Sequence, residues 1–207
     1  CLFRHRHFCH EPHPKAEMFQ YVGMGRGMHT IEQDRLSQGR RNRPGRAMHT
    51  ITQLAPEDIP AAAEVIRQAF ATVAEAFDLT EENCPTSGAF LRDAALAEEL
   101  DRGAVLYGLS DGDGLSGCMS LKRKDGATFY LEKLAVAPWS RNRGYGGALV
   151  AHAVEEVRRA GGGTIRIGAM YENRELVRWY GRQGFGITGT RKFAHLPFVV
   201  CFMERRV

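Results

Sequence analysis

Leu134-Ala-Val-Ala-Pro-Trp-Ser-Arg141-Asn-Arg-Gly144-Tyr-Gly146-Gly147-Ala-Leu-Val150 reads as a strand, a basic glycine-rich loop and the start of a helix. The apolar run stops at Pro138, which cannot donate to a strand ladder, and an apolar helical pattern resumes at Tyr145. This order builds an anion site from main-chain N–H groups. The first turn of a helix leaves its donors unpaired, and small residues let a phosphate approach them. Arg141 and Arg143 add positive charge. The loop lacks the Gly-Lys-Ser/Thr ending of a Walker loop, and it lacks the G-x-G-x-x-G spacing of a dinucleotide fingerprint.

Working outward, Tyr145–Ala160 continues as a helix stopped by Gly161-Gly-Gly, and Thr164–Met170 is a strand. Asn173 caps a further helix that ends at Gln183-Gly184, and Phe185–Lys192 and Phe198–Glu204 are two last strands. Upstream, His49–Leu54 is a first strand, and Pro56 opens a helix running to about Phe77. Ile59, Ala62, Val65, Ile66, Ala69 and Phe70 fall on one face of it. A second helix is expected from Ser87 to Leu100, with Phe90, Leu91, Ala94, Leu96 and Leu100 as its apolar face. Three strands follow, Ala104–Leu109, Gly114–Lys122 and Thr128–Ala137, separated by the hairpin signals Asp111-Gly-Asp-Gly and Lys124-Asp-Gly. The order β-α-α-β-β-β-α-β-α-β-β predicts an α/β fold with a mixed, mainly antiparallel sheet of six to seven strands and about four helices.

The loop Arg141-Asn142-Arg143-Gly144-Tyr145-Gly146 has the form R/Q-x-x-G-x-G/A, and Asn173-x-x-Leu176-x-x-Trp179-Tyr180-x-x-x-Gly184-Phe185 follows in the right structural order. Together they resemble the GNAT N-acetyltransferase superfamily, bacterial type, from about His49 to the C-terminus. That resemblance implies acetyl-CoA as acyl donor and a primary amine as acceptor, joined by direct attack in a ternary complex. Main-chain N–H groups across Arg141, Asn142, Arg143, Gly144, Tyr145, Gly146 and Gly147 would cradle the pyrophosphate, with the two arginines adding charge-assisted bonds. Leu134, Ala135 and Val136 would align the pantetheine, and an N–H near Leu134 would hold the developing oxyanion. Tyr180 is the candidate general acid, although Leu176, Val177 and Tyr180 also form one apolar helical face. Asn173 either bonds pantetheine amides or serves only as a helix cap.

Glu132 is the candidate general base. Strand alternation places it with Tyr130, Leu134 and Val136, where a carboxylate needs a reason, and the competing reading pairs it with Lys122 or Lys133 at the surface. His195 is a second candidate for base or for acceptor-pocket lining. No cysteine stands at a nucleophile position, which argues against an acetyl-cysteine intermediate. Trp139 stands where relatives often carry a polar residue and is expected to roof the cofactor. A GNAT-fold acyl-CoA sensor without turnover is the alternative, and dimers are common in the superfamily.

The 207 residues carry a net charge of +4, and that charge is uneven. Residues 1–47 hold nine Lys and Arg against four acids, which leaves −1 on residues 48–207. The first 47 residues lack hydrophobic periodicity and are expected to be a disordered extension to a domain spanning 48–207. The repeat of Met-His-Thr-Ile at 28–31 and 48–51 marks Met48 as a candidate start. The extension's Cys1, His5, His7, Cys9, His10 and His13 match no standard zinc spacing, so no metal is expected. No specific nucleic-acid site is expected either, only weak salt-sensitive attraction. Scattered cysteines without a C-x-x-C pair suit the cytosol, and no apolar run reaches the roughly 18–20 residues of a membrane span.

Overall fold

The computed structural model describes residues 49–112 and 114–207. The expectations for residues 1–48, including the disordered extension and the start at Met48, lie outside the described residues. Seven strands form one sheet: β1 (Thr50–Gln53), β2 (Ala104–Ser110), β3 (Leu115–Arg123), β4 (Thr128–Val136), β5 (Thr164–Met170), β6 (Gly186–Lys192) and β7 (Val199–Arg206). Their spatial order is β1-β2-β3-β4-β5-β7-β6. Only the β4–β5 pair is parallel. The helices are α1 (Ile59–Ala76), α2 (Asp93–Asp101), α3 (Tyr145–Arg159) and α4 (Arg174–Arg182). The expected mixed sheet, its mainly antiparallel pairing and the element order are all present.

Each sheet face carries its own core. On one face, Leu121, Leu131, Leu134 and Val136 pack against Leu149, Val150 and Val154 of α3 and Leu176 and Val177 of α4. On the other, Leu106, Cys118, Ala135 and Val200 meet Ile66, Phe70 and Leu96 of α1 and α2. The helices with the apolar stripes expected from sequence are thus split between the two faces.

Two departures from the sequence reading have local causes. The expected helix from Ser87 to Leu100 is broken. Gly88–Phe90 forms a 3-10 turn capped by Ser87, Leu91 and Arg92 are extended (ψ 125° and 144°), and α2 starts only at Asp93. Tertiary contacts hold that break open. The Arg67 guanidinium donates to the Leu91 carbonyl at 3.0 Å and to Asp93 at 2.8 Å. Phe90 and Leu91 therefore do not share a helix face with Leu96 and Leu100.

The second departure lies in β4. Ser120 pairs with Glu132 and Cys118 pairs with Ala135, so one residue of β3 faces two of β4. This is a β-bulge at Lys133-Leu134, with Lys133 at φ 50°. The extra residue reverses the alternation beyond it. Leu134 and Val136 fall with Leu131 on the α3 face, whereas Glu132 shares the opposite face with Ala135. The sequence-based grouping of Tyr130, Glu132, Leu134 and Val136 on one face is therefore incorrect.

Gly88 is packed so closely that a Cβ there would lie 2.7–3.0 Å from three ring carbons of Phe70. Gly88→Ala is expected to lower unfolding free energy by about 1–3 kcal/mol through overpacking. An unchanged urea midpoint would contradict this contact.

Candidate functional site

β4 and β5 share three paired positions, Thr128–Tyr130 against Thr164–Arg166, and then part. β5 turns its other edge to β7 along its whole length, and β3 holds β4 as far as Val136. The β5-facing main chain of Leu131–Val136 thus borders a wedge-shaped gap. Unpaired strand amides facing such a gap are a template for an extended ligand.

The glycine-rich loop stands at the wide end of this gap. Ala137 donates to the Ser116 carbonyl, Pro138–Ser140 makes one 3-10 turn, and the Ser140 hydroxyl bonds Ser116 Oγ at 3.1 Å. Asn142 and Gly144 take positive φ (63° and 84°), which folds the chain back so that α3 can begin at Tyr145. Nothing lies within 4 Å of a Cβ at Gly144, so its backbone conformation is what calls for glycine. Ala148 N–H is the first to return to the loop, bonding the Gly144 carbonyl. The N–H groups of Tyr145, Gly146 and Gly147 therefore head the helix without helical acceptors.

Both loop arginines also bond the scaffold. Arg141 is half-buried, and its guanidinium donates to the Ala69 carbonyl and to Thr72 Oγ1 of α1, both at 3.0 Å. Burial lowers its pKa. Arg143 and the Tyr145 hydroxyl both bond Asp111 Oδ2, at 3.3 and 3.1 Å, and the Asp111 side chain is 3% exposed. These contacts tie the loop to α1 on one side and to the β2–β3 turn on the other.

A cleft of about 510 Å³ runs between this loop and α4. Val136, Ser140–Asn142 and Gly144–Gly147 form one wall, and Glu175, Leu176, Arg178, Trp179 and Arg182 form the other. Arg143 is not part of either wall, and neither is Trp139, which is 62% exposed. Sequence reading missed Arg178 and Arg182. Their i,i+4 spacing is visible in the chain, but exposed arginines on a helix are commonplace, and only the packing of α4 turns them toward the loop.

Tyr180 is completely buried on α4 between Trp179 and Phe185, with ring centroids at 4.9 and 5.4 Å. Its hydroxyl has no hydrogen-bond partner, an arrangement that costs about 1–3 kcal/mol. Burial raises its pKa well above the usual phenol range, so it stays protonated. Asn173 Oδ1 accepts from Leu176 N–H at 3.1 Å, so the cap half of its two-way reading is realised. Glu132 is half-buried, and His195 lies exposed in the β6–β7 connection with its ring 5.7 Å from Phe193. Among the described residues there is no cluster of metal-ligating side chains and no helix long and apolar enough to cross a membrane.

The bulge residue Lys133 is fully buried, and its ammonium pairs with Glu99 of α2. The competing sequence reading had offered it, beside Lys122, as a surface partner for Glu132. The reversal has the same cause as the flipped face: the extra residue in β4 turns Lys133 inward.

A sheet split beside a glycine-rich helix N-terminus is a surface suited to an extended anionic ligand laid along main chain. The chain belongs to the acetyltransferase (GNAT) family, whose model matches residues 70–185. Solved structures agree in fold. The ribosomal-protein-S18-alanine N-acetyltransferase from Escherichia coli is 18% identical over 77% of this chain and 94% of its own, with a TM-score of 0.63. The PaiA N-acetyltransferase from Thermoplasma acidophilum, in complex with coenzyme A, is 19% identical over 77% and 99%, with a TM-score of 0.61. A GNAT family acetyltransferase from Elizabethkingia anophelis with acetyl-CoA bound is 17% identical over 77% and 98%, with a TM-score of 0.57. No curated protein matches the chain in sequence.

Burial pushes the Lys133 ammonium down to about 7 from an ordinary 10.5, even with Glu99 beside it. Between those values the unfolded chain holds a proton that the folded chain lacks, so folding stability from this group rises with pH. The urea midpoint is expected to rise more steeply from pH 7 to 8.5 in the native sequence than in Lys133→Met. Burial pushes the Cys118 thiol up from 9.0 to about 12, which opposes the rise as pH approaches 9, but it does so equally in both sequences and cancels from the comparison. Parallel pH curves would contradict the burial of a titrating Lys133.

Proposed function

We propose that the chain is an acetyl-CoA-dependent N-acetyltransferase acting on a primary amine by direct attack in a ternary complex. The observation that carries this reading is the β4–β5 gap opening onto the glycine-rich N-terminus of α3. Glu175, Leu176, Arg178, Trp179 and Arg182 of α4 are the opposite wall of the adjoining cleft, and the unpartnered Tyr180 hydroxyl lies buried behind that wall in the same helix. Acetyl-CoA would supply a thioester carbonyl, a long amide-bearing arm and phosphates. The residues present suit each part. Tyr145, Gly146 and Gly147 offer N–H donors and the positive end of α3 to the pyrophosphate. Leu134, Ala135 and Val136 offer main-chain groups to the arm.

The chemistry divides among three groups. Glu132 takes a proton from the incoming ammonium, directly or through one water, and frees its nitrogen lone pair. The Leu134 N–H donates to the carbonyl oxygen as negative charge builds there. As the new C–N bond forms and the C–S bond breaks, the Tyr180 hydroxyl protonates the leaving thiolate. Burial keeps that proton on the phenol oxygen in the free protein. Arg178 and Arg182 face the same cleft as the α3 N-terminus and are suited to the remaining phosphate charge.

Thiol release over a panel of amines, amino acids, peptides and aminoglycosides tests the activity. Turnover of at least one is expected, and binding of acetyl-CoA with no turnover of any would favour a sensor instead. Tyr180→Phe is expected to cut kcat by about 10²–10⁴-fold while leaving the Kd for acetyl-CoA near its original value. An unchanged kcat would remove Tyr180 as the acid. Arg178→Ala and Arg182→Ala are each expected to raise KM for acetyl-CoA by about three- to tenfold at low salt, with kcat unchanged. A KM indifferent to both substitutions would place the phosphates elsewhere.

A further inference from the structure

Lys133 is in an unusual position for its residue type. Its φ of 50° is where a bulge ordinarily takes glycine, and a side chain there costs on the order of 1–3 kcal/mol. Its long, charged side chain is nevertheless buried completely, 0% exposed. The partner is also poorly placed by local rules. Glu99 sits in the last turn of α2 (Asp93–Asp101), at the end of the helix dipole that favours cations. A strained lysine and a glutamate at the wrong end of a helix meet each other, and each compensates for the other's misplacement.

Stability alone does not account for the pair, since a buried ion pair rarely outperforms apolar residues of the same volume. What such a pair can do is fix one arrangement among several of similar energy. β4 needs that here, because a bulge is one surplus residue that can migrate along the strand. Beyond Tyr130 the strand has no β5 partner to resist such a slip.

We propose that the Lys133–Glu99 pair pins the β4 bulge in register and thereby aims the Leu134 N–H at the acyl carbonyl, which makes Lys133 a positioning residue. The inference rests on the acetyltransferase reading above. With the pair in place, Lys133 anchors the surplus residue to α2, the Leu134 side chain is held in the α3-side core, and Glu132 stays on the other face. A one-residue slip would exchange those faces and carry the carbonyl donor away from the gap.

The test compares coenzyme A, which lacks the acyl carbonyl, with acetyl-CoA, using the amide resonances of the isotopically labelled full chain. In the native sequence, acetyl-CoA is expected to shift the Leu134 amide, whereas coenzyme A shifts Gly146 and Gly147 but leaves Leu134 much less changed. In Glu99→Met/Lys133→Met, which replaces the pair by apolar side chains, the acetyl-specific shift at Leu134 is expected to be lost, while the Kd for coenzyme A is retained. Lys133→Gly relieves the backbone strain and removes the tether, and it should lose the same shift with the fold intact. Retention of the acetyl-specific shift in either variant would overturn the proposal. So would an unfolded Lys133→Gly, because the pair would then be holding up the fold instead of aiming one strand. Failure of the native sequence to bind either probe would overturn the acetyltransferase reading, and this inference with it.

Discussion

The β4–β5 pairing lasts three residues, and much of the molecule is arranged around its ending there. A parallel pair that continued to Val136 would satisfy every main-chain donor on that edge and leave no slot. Two features keep the strands apart. β5 spends its other edge on β7 over seven paired positions, and β4 is held by β3 through a bulge that bends it away. The helices then close over the two faces, α3 and α4 on one and α1 and α2 on the other. The gap is left with the unpaired main-chain edge of β4 along it.

The same economy governs the charges around it. Arg141 and Arg143, expected from the sequence to add charge to the loop, also bond Ala69, Thr72 and Asp111. Those bonds hold in shape a loop containing two residues at positive φ, which leaves the main-chain N–H groups at the head of α3 exposed to the cleft. Arg178 and Arg182 of α4 add positive charge to the cleft from its other wall. Tyr180 is the converse case: a hydroxyl kept without a partner in a full core is a local loss of stability that the packing of α4 does not recover.

Much of the architecture was legible in the sequence because its signals are local. The glycine loop, the Asn173 cap and the two hairpin turns each state their conformation within a few residues, and the strand and helix periods link them. The resemblance on Arg141–Gly146 and Asn173–Phe185 then supplied the family. What escaped depends on partners far along the chain. The break before α2 is held by Arg67, and the bulge in β4 shows only as a register shift against β3. Because Lys133 looks like any strand lysine, its inward turn and the reversed face of Glu132 were both hidden. The role of α4 as the second wall was hidden for the same reason, since its arginines become cleft residues only when the fold sets α4 opposite the glycine-rich loop.

The central claim is that the split between β4 and β5, with the α3 N-terminus at its mouth, holds acetyl-CoA by its main chain. Amide hydrogen exchange on the full chain, with and without acetyl-CoA, tests this directly. The account predicts slowed exchange at Leu134, Ala135 and Val136 and at Tyr145, Gly146 and Gly147, with little change at β1, β2 or α2. Exchange in these two segments that is indifferent to saturating acetyl-CoA, or protection confined to another part of the sheet, would contradict it.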